Sequence, residues 1–260
     1  MNMPELLQMC LLVCPLVFLA GFVDSVAGGG GLISLPAYLF VGLPPHIASG
    51  TNKVVNSMGT ALATWKYYKS GKIRVGLAAL AAVGALLGSA IGTRIALYLN
   101  DAVFQMLLLV ALPIAAVIIT VKKDFGQDSE DTPHKNSRRD KIACLLIGIV
   151  MGCYDGMIGP GTGTFMIMAF TAIVGMDLLT ASGCAKMGNL ASNVASAVVW
   201  LLNGQVMLSL VIPCAACNML GSWLGSRYAI RGGSKKVRSM IYVVLVLLFV
   251  KFFYELFLAA

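Results

Sequence analysis

The chain has 260 residues, of which 58% are hydrophobic and 12% charged, and its mean hydropathy is +0.86. A soluble domain of this size needs a far more polar surface, so the composition excludes an ordinary soluble enzyme or binding module and implies an all-α, polytopic helical membrane protein. The net charge of +8 does not imply nucleic acid, because the basic residues fall in loops beside apolar segments, where the positive-inside rule puts them.

The first apolar segment covers about 6–24. Its leader MNMPELLQMC has no Lys or Arg, so it reads as a permanent helix and not as a cleaved signal peptide. A glycine-rich turn follows, DSVAGGGG at Asp24–Gly31. The second segment, 32–43, has about 12 residues, or roughly 18 Å of helix against about 30 Å of hydrocarbon. The third, 47–66, carries ASGTNKVVN (Ala48–Asn56), which places Lys53 inside an otherwise apolar run. The fourth, 74–98, has Gly84, Gly88 and Gly92 at four-residue spacing, a small-residue stripe for helix packing. A fifth, 102–121, leads into the polar stretch Lys122–Lys141. Five more segments follow at about 141–155, 163–175, 179–202, 206–228 and 238–258.

The second five repeat the first. A shift of 133 pairs Gly42 with Gly175, Ser49 with Ser182, Lys53 with Lys186, Asn56 with Asn189, Gly71 with Gly204 and Gly88 with Gly221. Upstream, a shift of 131 pairs Asp24 with Asp155, Gly28 with Gly159 and Gly30 with Gly161. The divisions are a first repeat 1–121, a linker 122–141 and a second repeat 142–260. If every segment changes sides, the loops 66–74, 122–141 and 227–238 share one face. They carry Lys66, Lys69, Lys72, Arg74, Lys122, Lys123, Lys135, Arg138, Arg139, Lys141, Arg227, Arg231, Lys235, Lys236 and Arg238, or 15 of the 19 basic residues. The bias collapses if the short second segments are not counted. Two inverted repeats of about five membrane segments each are therefore expected, with a cytoplasmic linker and both termini outside. Two half-length segments forming a re-entrant hairpin satisfy the same parity.

Short, glycine-interrupted segments at matching places in two halves point to a binding site. Glycine turns let backbone N–H groups approach a ligand, and the helix that follows presents its positive end. The expected anion-binding residues are Gly28, Gly29, Gly30, Gly31, Gly159, Gly161, Thr162 and Thr51, with Lys53 and Lys186 and, one turn further on, Asn56 and Asn189. An anion between the lysines would offset the cost of about 2.5–3.5 kcal/mol for a charge near the bilayer centre. On that reading, removing either lysine leaves folding intact, since it removes an intramembrane charge. Asp24 and Asp155 are either counter-charges for the lysines or proton carriers. Cys214–Ala–Ala–Cys217 lies in an apolar helix with no second pair, and His46 and His134 are too far apart for a metal cluster, so neither metal nor cofactor is expected.

At these residues the chain resembles the TauE/SafE family of sulfite and organosulfonate exporters, also called the toluene-sulfonate uptake permease superfamily. The carrying stretches are GFVDSVAGGGGLISLPAYLFVGLPPHIASGTNK (Gly21–Lys53) and its echo at Gly152–Lys186. The resemblance implies an inner-membrane exporter of a small sulfur-containing anion such as sulfite, sulfoacetate or thiosulfate. The echo has Cys184–Ala185 where the first copy has Thr51–Asn52, so equal roles for the halves do not follow. The expected partners are the lipid bilayer, a small sulfur oxyanion or organosulfonate and, in a homo-oligomer, a second copy of the chain. The alternatives are a non-transporting membrane scaffold or assembly factor, which leaves the lysines unexplained, and a membrane-embedded sulfur enzyme using Cys184 or the CxxC.

Overall fold

The computed structural model describes residues 3–108 and 137–257, so 109–121 of the expected fifth segment and most of the linker 122–141 lie outside the described residues. Among the described residues the chain forms helices and no strand. In chain order these are α1 (Met3–Ala27), α2 (Gly31–Phe40), α3 (Pro45–Lys69), α4 (Val75–Tyr98), α5 (described over 101–108), α6 (Arg138–Met157), α7 (Thr162–Val174), α8 (Leu178–Leu202) and α9 (Leu208–Phe257).

The polarity is arranged for lipid. Large apolar side chains such as Leu11, Leu87, Ile91 and Ile212 point outward, while Ser34, Thr93, Ser196, Ser226 and Lys186 are buried. Among the described residues, three stretches are long and apolar enough to cross a membrane: Pro4–Ala27, Val75–Tyr98 and Leu208–Tyr242. The 25-residue helices α3 and α8 carry their polar residues inward, which lowers their hydropathy without making them surface helices. The second segments are short, 10 residues in α2 and 13 in α7.

Helix ends follow local chemistry. Gly42 and Gly175 close α2 and α7 with a left-handed φ, and Gly71 and Gly204 do the same after α3 and α8. This is why those glycines recur at the repeat spacing. The structure begins α6 at Arg138, three residues before the expected 141, because Ser137 and Asp140 form a reciprocal capping box. The expected loop 227–238 is helical instead. There α9 changes direction at one residue, Gly233 (φ 64°, ψ −165°), a conformation that glycine adopts without a Cβ clash.

α4 lies along α6, and α1 along α9. Gly84, Gly88 and Gly92 face the α6 backbone, and Gly148, Gly152 and Gly156 answer from α6, so a Cβ at any of them would overlap a backbone atom across the interface. The stripe is helix packing, as its spacing implies. α3 and α8 pack on each other, on α9 and on α4 respectively, and so occupy the centre.

Candidate substrate site

Both glycine turns end at short helices, and the two turns touch. A Cβ on Gly28 would overlap the backbone of Gly163 and Thr164, and one on Gly163 would come within 2.7 Å of Gly28 Cα. This contact brings the start of α2 against the start of α7. The first-turn residues Gly31, Thr162 and Gly163 line one pocket, of about 350 Å3 counting its open mouth. At these two positive helix ends the N–H groups of Leu32, Ile33 and Ser34 already donate to the Gly29 and Gly30 carbonyls, and those of Thr162 and Phe165 to Gly159 and Gly161, so Gly31 and Gly163 carry the first-turn N–H groups that border this space.

Lys53 is the ninth residue of α3, and Lys186 is the ninth of α8. Both are buried and each pairs with an aspartate from the other half of the chain; Lys53 lines the pocket itself, whereas Lys186 stands behind the lining and meets it through Asp24. Lys53 Nζ lies 2.7 Å from Asp155 Oδ2 at the end of α6, and Lys186 Nζ lies 2.7 Å from Asp24 Oδ2 at the end of α1. The pairs are therefore crossed between the halves. They neutralise both lysines, so an anion is not needed to offset their charge. The carboxylates differ. Asp155 Oδ2 also accepts a hydrogen bond from the Ser192 hydroxyl, whereas among the described residues Asp24 Oδ1 accepts from the Gly30 backbone N–H alone, at 3.2 Å.

Most of the expected residues come together. Asp24, Asp155, Lys53, Asn56, Asn189, Gly29, Gly31, Gly159, Gly161 and Thr162 line the pocket. Gly159 abuts the Lys53 ammonium, which would stand 3.3 Å from a Cβ there. Asn189 is buried with its Oδ1 unpartnered, an open polar valence at the pocket wall. Gly28 and Gly30 fall behind the lining, Gly28 holding the turn-to-turn contact and Gly30 orienting Asp24.

Thr51 lies apart from the pocket lining. Its hydroxyl is fully buried and accepts a hydrogen bond from Met207 N at 3.0 Å, holding the start of α9 away from the pocket. Its repeat counterpart Cys184 stands against the Arg74 backbone N–H at the start of α4. The Thr-to-Cys departure between the repeats is thus two versions of one packing contact. Neither Cys184 nor the CxxC lines the pocket. Three lining residues were not anticipated: Asn52, Asn193 and Gly163. Asn52 and Asn193 lie one helical turn from Asn56 and Asn189, and that four-residue spacing was the available signal. Asn52 Oδ1 accepts from Ser34 Oγ at 2.7 Å and from Asn56 Nδ2 at 3.1 Å, while Asn218 Nδ2 donates to Asn56 Oδ1 at 3.1 Å.

A lipid-facing helical shell around a polar, helix-end-lined pocket is the construction of a multi-pass membrane transporter. The chain belongs to the family described as sulfite exporter TauE/SafE, whose profile matches residues 13–252. It is 33% identical over 238 residues to "Probable membrane transporter protein ORF9" of Sinorhizobium sp., covering 90% of this chain and 88% of the relative. A "Probable membrane transporter protein" of Haemophilus influenzae is 33% identical over 244 residues, 92% of each chain. "Probable membrane transporter protein YfcA" of Escherichia coli (strain K12) is 28% identical over 237 residues, 91% of this chain and 87% of the relative. These relatives are membrane transporters and not enzymes. No solved structure matches the chain significantly.

Proposed function

We propose that the chain carries a small sulfur-containing anion, such as sulfite, sulfoacetate or thiosulfate, out of the cell through the pocket between α2 and α7. The observation that carries this reading is the facing pair of helix starts with Lys53 and Lys186 beside them. Glycine-turn backbone, first-turn N–H groups and the amides of Asn56 and Asn189 supply donors for an oxyanion. With the interior negative, each negative charge leaving gains about 2.3 kcal/mol per 100 mV, so efflux is favoured.

The two halves act as inverted repeats, 1–121 and 142–260, joined by a cytoplasmic linker 122–141 in the inner membrane, with both termini outside. Several matched contacts support this. α1 on α9 corresponds to α6 on α4, and α9 on α3 to α4 on α8. Gly50 against Gln205 O corresponds to Gly183 against Lys72 O, and Thr51–Met207 to Cys184–Arg74. Each crossed ion pair ties a helix of one repeat to a helix of the other, and so links the two repeats across the pocket.

The test is flux. Purified protein in liposomes is loaded with sulfite, sulfoacetate or thiosulfate, and efflux is followed with voltage imposed, chloride and sulfate serving as controls. Saturable efflux of at least one sulfur anion is expected. Chloride or sulfate moving while all three sulfur anions stay inside would overturn the substrate assignment.

A further inference from the structure

We infer that Asp24 alone is the exchangeable counter-ion of this site: one proton taken up by its carboxylate releases Lys186 to the substrate anion, while Asp155 stays paired throughout. The inference rests on the anion reading of the pocket and adds its stoichiometry.

The pocket is already balanced, with two ammonium groups against two carboxylates. A further anion entering this buried space would meet two fixed negative charges at close range, where water screens little. One carboxylate must lose its charge or move away before an ammonium can serve the ligand. The structure distinguishes the two. The Asp155 side chain is 7% exposed and is held by both Lys53 and the Ser192 hydroxyl. Behind it, the Ser192 carbonyl is held by Ser89, which also contacts Ser196. Both carboxylates line the pocket, but Asp24 is the more exposed, at 21%, and among the described residues its side chain has Lys186 and one long backbone N–H as partners. Its lysine is fully buried, so the proton and the anion both arrive from the pocket side.

Among the described residues, the surroundings of Asp24 hold no competing base. Of the helices packed on α1, α8 presents Lys186, and α3 presents Tyr67, whose hydroxyl donates to Ser25 O at 3.0 Å. α9 presents Asn218, Ser222 and Tyr228, α7 the Thr164 hydroxyl, and the start of α2 the Gly30 N–H. Across the pocket, Lys53 and Asp155 hold each other. The step balances simply. Asp24–COO⁻ and H⁺ give Asp24–COOH, the Lys186 ammonium keeps its protons, and the anion takes the place of the carboxylate. A dianion that leaves with this proton still carries one net negative charge outward, so voltage continues to favour its efflux.

The probe is thiosulfate, whose own charge does not change near neutral pH. Its affinity for the purified protein, read by calorimetry, should tighten as pH falls, by at most about tenfold per unit, the limit for one proton bound per anion. Asp24→Asn should bind thiosulfate with no pH dependence and should exchange it across liposomes, while losing the response to an imposed pH gradient. Ser192→Ala, which loosens Asp155 without stranding a charge, should keep the wild-type pH dependence. Binding that is independent of pH in the wild type overturns the inference and leaves the anion site standing. A pH dependence that survives in Asp24→Asn but disappears in Ser192→Ala overturns it in favour of Asp155. If thiosulfate, sulfite and sulfoacetate all fail to bind at any pH, the anion reading falls and the inference falls with it.

Discussion

Removing one member of a crossed ion pair should destabilise the protein more than removing both. Lys53 and Asp155 are 6% and 7% exposed and 2.7 Å apart. Lys53→Met would leave the carboxylate with the Ser192 hydroxyl as its partner, and breaking a buried pair from one side costs about 3–5 kcal/mol. At roughly 2–4 °C per kcal/mol for a chain of this length, Tm should fall by on the order of 10 °C. Adding Asp155→Asn removes the stranded charge and leaves an amide oxygen that still accepts from Ser192. The double variant should recover at least half of the loss, a coupling energy of about 2 kcal/mol between neighbours in contact. Lys186→Met should cost less, because Asp24 is 21% exposed and water in the pocket can reach its carboxylate. Thermal unfolding of the detergent-purified variants, followed by tryptophan emission, measures all of these. Strictly additive losses, or a Lys53→Met protein melting with the wild type, would refute the reasoning. The sequence alone implies the opposite outcome, since a lysine deletion there looks like the removal of an unwanted intramembrane charge.

Gly88→Ala should lower Tm and the yield of monodisperse protein, since the new Cβ meets the Ile149 carbonyl and overpacking costs about 1–3 kcal/mol; an unchanged Tm would mean that α4 and α6 separate freely. Asp177→Ala should cost about 1 kcal/mol, because the carboxylate caps α8 through Leu179 N and Thr180 N. Burial pushes the Asp177 carboxyl up, but hydrogen bonds from Thr180, Leu179 and Ser234 outweigh it and hold the group below its usual range. That contribution is present above the unfolded value of about 3.9 and is lost as pH falls through the lower folded value. The Tm gap between wild type and Asp177→Ala should therefore persist down to about pH 4 and close only in stronger acid; a gap that closes near neutral pH would contradict this assignment. Asn203→Cys should react with an impermeant maleimide added to intact cells and Lys72→Cys should not, in a background without reactive native cysteines; the reverse pattern would invert the topology.

Much of the candidate site is legible because a duplication exposes it. Lys53 and Lys186 stand out from apolar surroundings in the same register, and the short segments after DSVAGGGG and DGMIGPGTGT announce interrupted helices. Asn52 and Asn193 were harder to see, since their repeat counterparts are Ala185 and Thr60 and the self-alignment does not mark them. Thr51 stands apart from the pocket for a geometric reason. It neighbours Lys53 in sequence, but two residues on a helix are about 200° apart, so its hydroxyl turns to Met207 and not to the pocket.

Composition and hydropathy by themselves determined that this is an all-helical chain for a bilayer, because 58% apolar content has no soluble solution. Periodic glycines determined where α4 can be approached closely, and the left-handed glycines determined where α2, α3, α7 and α8 stop, since both are properties of local backbone geometry. Which charges meet was decided only by the tertiary structure. Asp24 lies 162 residues from Lys186, and Asp155 lies 102 from Lys53, and no local rule selects these partners over the pairings within each half. The choice is made by packing. α1 runs along α9 and α6 along α4, which delivers each aspartate to the lysine of the opposite repeat. The same packing left Asp155 more enclosed, beside Ser192, and Asp24 more exposed, a difference in solvation between two pocket residues that occupy the same place in the repeat.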